Sequence, residues 1–144
     1  MNFLKSIKDE DNFLSMMFIL IVALFNAMTG LFFLRIDYPV DSPTYGRMAE
    51  VLDLNIYGLL LIISAAFFIV SIFQNNKARF ISMLVGGFLG GLLVSFYTSA
   101  STLGATNMML PIRYGLIACG CFIIAAVGGV RLWKTRKKAL LSQD

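Results

Sequence analysis

The chain predicts an all-α membrane protein: a compact four-transmembrane-helix bundle made of two helical hairpins, with both termini cytoplasmic. Three observations carry that class. Of 144 residues, 58% are hydrophobic and only 14% are charged, where a soluble domain carries about 25% charge. The 12 Lys+Arg and 8 Asp+Glu, net +4, all fall outside four uncharged apolar runs or at their ends. Each run has roughly the 20 residues that a helix needs to cross a hydrocarbon core. Residues 1–144 suit one integral membrane domain. Soluble, disordered and collagen-like classes fit this composition poorly, and two cysteines are too few for a disulfide scaffold.

The first span covers about residues 13–34. Its 22 residues hold no charge and 13 Leu, Ile, Val and Phe, which together favour insertion by roughly 5 kcal/mol. Asn26 and Thr29 subtract from that without reversing it. The second span, about 54–73, is bounded by Asp53 and by the polar stretch from Gln74 to Arg79. The third, about 80–100, begins at Phe80 and fades beyond Tyr97. The fourth, about 111–133, opens with Pro111, whose missing N–H costs nothing in a first helical turn. Between Arg113 and Arg131 it holds 17 residues, and both arginines can snorkel to headgroups. The runs are continuous and do not alternate, so helices fit and a membrane β-barrel does not.

Orientation follows from the basic residues. With the N-terminus inside, Lys5, Lys8, Lys77, Arg79, Arg131, Lys134, Arg136, Lys137 and Lys138 face the cytoplasm, and Arg35, Arg47 and Arg113 lie outside. Nine against three supports both ends inside. The first run exceeds the apolar length of a signal peptide and no A-x-A-like site follows it, so it is expected to remain as a span. Neither end carries a lipidation motif. The expected location is a prokaryotic cytoplasmic (inner) membrane. Residues 1–12, with Phe3, Leu4 and Ile7 on one helical face, read as an interfacial helix or a frayed end.

The third span carries the most pronounced pattern. Gly86 and Gly90 form one row four residues apart, which Ser82 extends. Gly87 and Gly91 form another, extended by Ser95 and Ser99. In lipid, packing and not hydrophobicity drives helix association, and small-xxx-small faces allow close approach. The expected partner is the fourth span, through Cys121, Ala125 and Gly129. The competing reading of the glycine face is an oligomer seam. Asn26, with Ser64 and Ser95, supplies the intramembrane polar groups; the ordinary role of such an Asn is one interhelical hydrogen bond. Ser95, Tyr97, Thr98, Ser99, Ser101 and Thr102 mark either a hydroxyl-lined vestibule or a plain interfacial exit.

The outer loop 35–53 is shaped by two prolines and a glycine. Ser42-Pro43 is expected to start a short helix running through Arg47 and Glu50 into the second span. Tyr38 and Tyr45 suit the interfacial aromatic belt. Asp37, Tyr38, Asp41, Tyr45 and Arg47 are the candidate partner contacts, and two aspartates fall short of a calcium site. The second outer loop, 101–110, is uncharged. The tail 131–144 holds Arg131, Trp133, Lys134, Arg136, Lys137 and Lys138, each basic residue worth about 1 kcal/mol at an anionic lipid surface. Nucleic-acid binding needs more than one short basic run.

Several chemistries lack their residues. The chain has no histidine. Cys119 and Cys121 are two apart on a helix, pointing to nearly opposite sides, so they serve as small apolar residues and not as a redox pair. No Asp, Glu or Lys lies inside a span, which removes the usual basis for ion coupling. No phosphate-binding glycine loop is present. No catalytic, metal or cofactor site is therefore expected. Four spans in so short a chain invite comparison with small multidrug-resistance transporters, whose activity depends on a glutamate embedded in the first helix. No such residue stands between Phe13 and Leu34, and that function is not carried over.

The leading expectation is a non-enzymatic structural or regulatory subunit, with membrane lipids and itself or other membrane proteins as partners and no nucleic acid. The alternatives are a holin-like or toxin-like homo-oligomeric pore former, and a small uncoupled lipid or metabolite transporter. One substitution bears on all three. Gly90→Leu overfills the glycine face and should impair assembly or thermal stability. Unchanged stability and assembly would mean that this face points at lipid.

Overall fold

The computed structural model describes residues 2–35, 43–74, 76–103 and 108–141, with side chains from residue 13 onward except at 76, 139 and 141. The described chain is helical nearly throughout: α1 (Asn2–Arg35), α2 (Pro43–Val51), α3 (Leu54–Phe73), α4 (Asn76–Thr102) and α5 (Met109–Leu141). Four of these are long and apolar enough to cross a membrane, over Phe13–Arg35, Leu54–Phe73, Lys77–Thr102 and Met109–Lys138. The expected spans at 80–100 and 111–133 are thus extended. A helix does not stop at the hydrocarbon boundary, because its backbone bonds are satisfied equally well in the headgroup region. For the same reason α1 runs unbroken from Asn2 through the first span.

Local chemistry sets the ends. Pro43 begins α2, where a residue without an N–H is tolerated. The expectation that this helix continues into the second span is corrected: α2 stops at Val51 and a new helix starts at Leu54. The cause is Asp53, whose carboxylate accepts from Asn55 N at 2.8 Å and Ile56 N at 3.4 Å. An N-cap of this kind requires non-helical backbone, and Asp53 sits at φ −54°, ψ 131°. At the other end of α3, Gln74 is extended and its N–H still reaches Val70 O at 3.1 Å. Pro111 falls in the first turn of α5, among N–H groups that have no intrahelical acceptor.

Packing follows a chain of neighbours. α3 lies against both α1 and α4, α4 lies against α5, and α1 and α5 approach each other far less closely. Glycines set each close crossing. A Cβ at Gly30 would lie 2.6 Å from Gly58 O, and one at Gly58 would lie 2.7 Å from Gly30 O. These two residues let the α1 and α3 backbones touch. Between α4 and α5, a Cβ at Gly87 would meet Cys121 O at 2.6 Å and Ala125 N at 2.8 Å, and one at Gly128 would meet Phe80 O at 2.8 Å. Cβ atoms there would displace backbone, which is costly to move.

Two buried clusters result. One gathers Phe33, Met48, Tyr57, Leu61, Val94 and Tyr97 near the α2 end. The other gathers Ile19, Val22, Phe68, Met83, Cys121 and Ile124 toward the opposite end. α2 closes the first cluster with Met48, which is fully buried.

Glycine position decides the sign of a substitution here. Gly30→Val should lower thermal stability by about 1–3 kcal/mol, through overpacking against backbone. Gly46, with nothing within 4 Å of a built Cβ, should accept Ala and gain about 0.5–1 kcal/mol from helix propensity. Thermal unfolding in mild detergent measures both; equal effects would contradict these crossings.

Candidate functional site

The two clusters meet at a polar knot drawn from four helices. Asn26 of α1 is fully buried. Its Nδ2 donates to Ser64 Oγ of α3 at 3.2 Å and to Cys121 Sγ of α5 at 3.8 Å. Ser64 Oγ in turn donates to Gly86 O of α4 at 2.9 Å. Gly90, one turn on, leaves the space these groups occupy: a Cβ there would lie 2.5 Å from Ser64 Oγ and 2.7 Å from Asn26 Nδ2. Asn26 Oδ1 is buried with no hydrogen-bond partner. Turning the amide over would not relieve this, because the single Ser64 proton is already given to Gly86 O and the amide's two donors would then face the unpartnered side. An orphan acceptor costs about 1–3 kcal/mol. The knot offers a hydrogen-bond acceptor in the middle of an apolar interior, with no charged group beside it.

The glycine rows do not share one face. Gly86 and Gly90 point at Ser64, Phe67 and Asn26, whereas Gly87 and Gly91 point at Cys121, Ala125 and Phe122. Adjacent rows on a helix are separated by about 100°, so α4 uses one against α3 and α1 and the other against α5. Cys121 and Ala125 join the second as expected. Gly129 does not: a Cβ there would make only an ordinary 3.6 Å contact with Leu84, and Gly128 is the tight position. Ser95 stands apart from Asn26 and Ser64; its carbonyl accepts from Ser99 Oγ at 3.0 Å.

The hydroxyls at the C-terminal end of α4 are largely turned back on their own helix. Thr98 Oγ1 donates to Val94 O and Thr102 Oγ1 to Thr98 O, the usual way for Ser and Thr to be satisfied within a helix. Ser101 Oγ is the exception, buried and without a partner. Around Tyr97 stands an aromatic cluster that the sequence reading did not anticipate. Phe33 packs edge-on against Tyr45, Tyr57 and Tyr97, with ring centroids at 5.7, 4.9 and 6.0 Å. Tyr97 meets Tyr114 at 4.3 Å, and Tyr114 meets Phe25 at 5.3 Å. Tyr57 OH donates to Leu93 O at 2.9 Å. All five helices contribute a ring.

Tyr45 is half-buried and packs its ring onto Phe33. Burial, and then the neighbouring Tyr97 hydroxyl, raises its pKa above the ordinary tyrosine value. Arg47 is exposed. Asp37, Tyr38 and Asp41 lie outside the described residues. On α5, Arg131 stands over the Phe80 ring at 5.9 Å and Lys137 Nζ over Trp133 at 5.8 Å. Lys134, Arg136 and Lys138 are exposed. Among the described residues no three His, Cys, Asp or Glu side chains converge to hold a metal.

The two-span bond in the knot is measurable. Asn26→Ala should lower stability by about 1–2 kcal/mol, and a double-mutant cycle with Ser64→Ala should give a coupling of about 0.6 kcal/mol. A coupling of zero would mean that the Asn26–Ser64 bond does not form in the bilayer. In comparisons with known proteins, no family model, curated protein or solved structure matches this chain.

Proposed function

We propose that the chain is a non-enzymatic subunit of a membrane assembly, structural or regulatory, that acts by packing against other membrane proteins or further copies of itself. The reading places it in a prokaryotic inner membrane, with both termini cytoplasmic and the spans paired as two hairpins. The nine-to-three division of basic residues supports that orientation. One observation carries the functional reading. The tightest small residues and the deepest polar groups of the spans are spent inside the chain, at Gly86, Gly87, Gly90, Asn26 and Ser64. The outward side chains of the spans are mostly apolar, from Phe13 and Ile21 on α1 to Leu116 and Ile123 on α5, with Ser15, Asn55 and Ser99 as exposed polar exceptions. What remains for a partner lies at the two ends: the exposed rim of α2, with Gly46, Arg47 and Glu50, and the basic helix end from Arg131 to Lys138. The basic end suits anionic lipid.

The same placement gives a homo-oligomeric pore little support, because a pore between copies wants a polar outward face. A second reading has one observation in its favour. The orphan Asn26 Oδ1 is an acceptor that a neutral hydroxyl or amide could use, which suits an uncoupled lipid or metabolite transporter.

Solubilisation in native-like bilayer discs separates these readings. The subunit reading expects a defined complex; in intact cells, before solubilisation, a thiol introduced as Glu50→Cys should react with an impermeant maleimide from outside and cross-link to the partner. A strictly monomeric species with no co-purifying protein would overturn it. The transporter reading expects a substrate-dependent thermal shift that disappears in Asn26→Ala.

A further inference from the structure

On the outward face of α1, Met28, Leu31, Phe32 and Arg35 line an open groove of about 290 Å³. Their spacing along the helix places all four on one face. Met28 is 72% exposed, whereas the adjacent Phe33 is turned inward and held by three tyrosine rings. Phe32, about 100° further round the helix, meets the Phe33 ring edge-on at 5.6 Å, so that inward anchor also braces the wall of the groove. Arg35 is the last residue of α1, where the free carbonyls of a helix end attract a cation back over the final turn. The groove is thus an apolar strip that runs down the helix from a guanidinium at the end of the span.

We propose that this groove is a site for one anionic phospholipid, its phosphate on Arg35 and an acyl chain along Phe32, Leu31 and Met28. A guanidinium pairs two of its N–H groups with phosphate oxygens, which a tetrahedral headgroup at the end of a span presents. From Arg35 to Met28 the helix descends about 10 Å, so the strip takes the upper part of one chain. Met28, unbranched and 72% exposed, is flexible enough to follow a disordered chain. A second copy fits worse. Helix-on-helix contact in lipid favours small residues, and the nearby glycine, Gly30, is already pressed against Gly58. The site depends on neither the orientation nor the function proposed above.

The test uses the full chain in bilayer discs containing phosphatidylglycerol or phosphatidylcholine analogues that carry a photoreactive diazirine in one acyl chain. Labelling should map to the peptide ending at Arg35 and should favour phosphatidylglycerol. Arg35→Gln should reduce it by about fivefold, the ratio that corresponds to one basic residue at an anionic surface. Leu31→Trp, which keeps the charge and fills the strip, should reduce it as well, and provides a second variant should Arg35→Gln fold poorly. Replacing Arg136, Lys137 and Lys138 by Gln should leave this label unchanged. Equal labelling by both headgroups, full labelling in both variants, or a protein–protein cross-link at this face in place of lipid would overturn the proposal.

Discussion

Backbone approach permitted by glycine is the constraint on which the rest of this structure depends. Inside a bilayer, apolar side chains gain nothing by leaving lipid for protein, so helices associate through contact quality alone. Contact quality rises steeply as the axes come together, and only a missing Cβ lets backbone meet backbone. Each tight interface here has its own glycines: Gly30 with Gly58 between α1 and α3, Gly86 and Gly90 between α3 and α4, Gly87 and Gly128 between α4 and α5. Between α1 and α5 the backbones stay apart, and the glycine there, Gly120, meets only the side chains of Phe18 and Val22.

The polar knot is a consequence of that approach. Ser64 reaches Gly86 O and Asn26 reaches Ser64 because Gly90 leaves room for both side chains. Hydrogen bonds are directional, whereas van der Waals contact between apolar helices is not, so the knot fixes the rotation and depth of three helices relative to the fourth. The aromatic cluster does the same near α2, where edge-on pairs of Phe33 with Tyr57 and Tyr97 and of Phe25 with Tyr114, and a tilted Tyr97–Tyr114 pair, hold α1, α3, α4 and α5 together, and Tyr45 draws α2 over them. Edge-to-face geometry is favoured by the ring quadrupole and resists sliding. Among the described residues, three buried polar atoms are left without a partner: the acceptor Asn26 Oδ1, the Ser101 hydroxyl and Arg79 Nε.

Much of this was legible along the chain. Four uncharged runs predict four helices because a lipid interior demands internally satisfied backbone. The small-residue rows of the third span predict close packing, and Asn26 predicts an interhelical bond. The opposite fates of Cys119 and Cys121, one exposed and one buried, follow from helical spacing. Other features were not legible for identifiable reasons. Gly30 and Gly58 stand singly in their spans, so no repeat marks them, although a lone glycine in an apolar helix is itself a sign of close approach. Gly128 and Gly129 are neighbours, and choosing between them needs the helix rotation. Tyr45 packs on Phe33, five helices' rings meeting in one cluster, and such a convergence of distant segments leaves no mark along the chain.

The sequence by itself determined which segments are helices, where charge is excluded, and which helix carries the rows of small residues. Those are properties of length, composition and periodicity, each readable within one segment. Only the tertiary structure decided which face of α4 meets which neighbour, that the glycine rows divide between two interfaces, and that Asn26, Ser64, Gly86 and Cys121 converge. The physical reason is that these outcomes depend on the rotation of each helix about its own axis. Rotation is set by contacts between segments far apart in the chain, and no single segment carries that information.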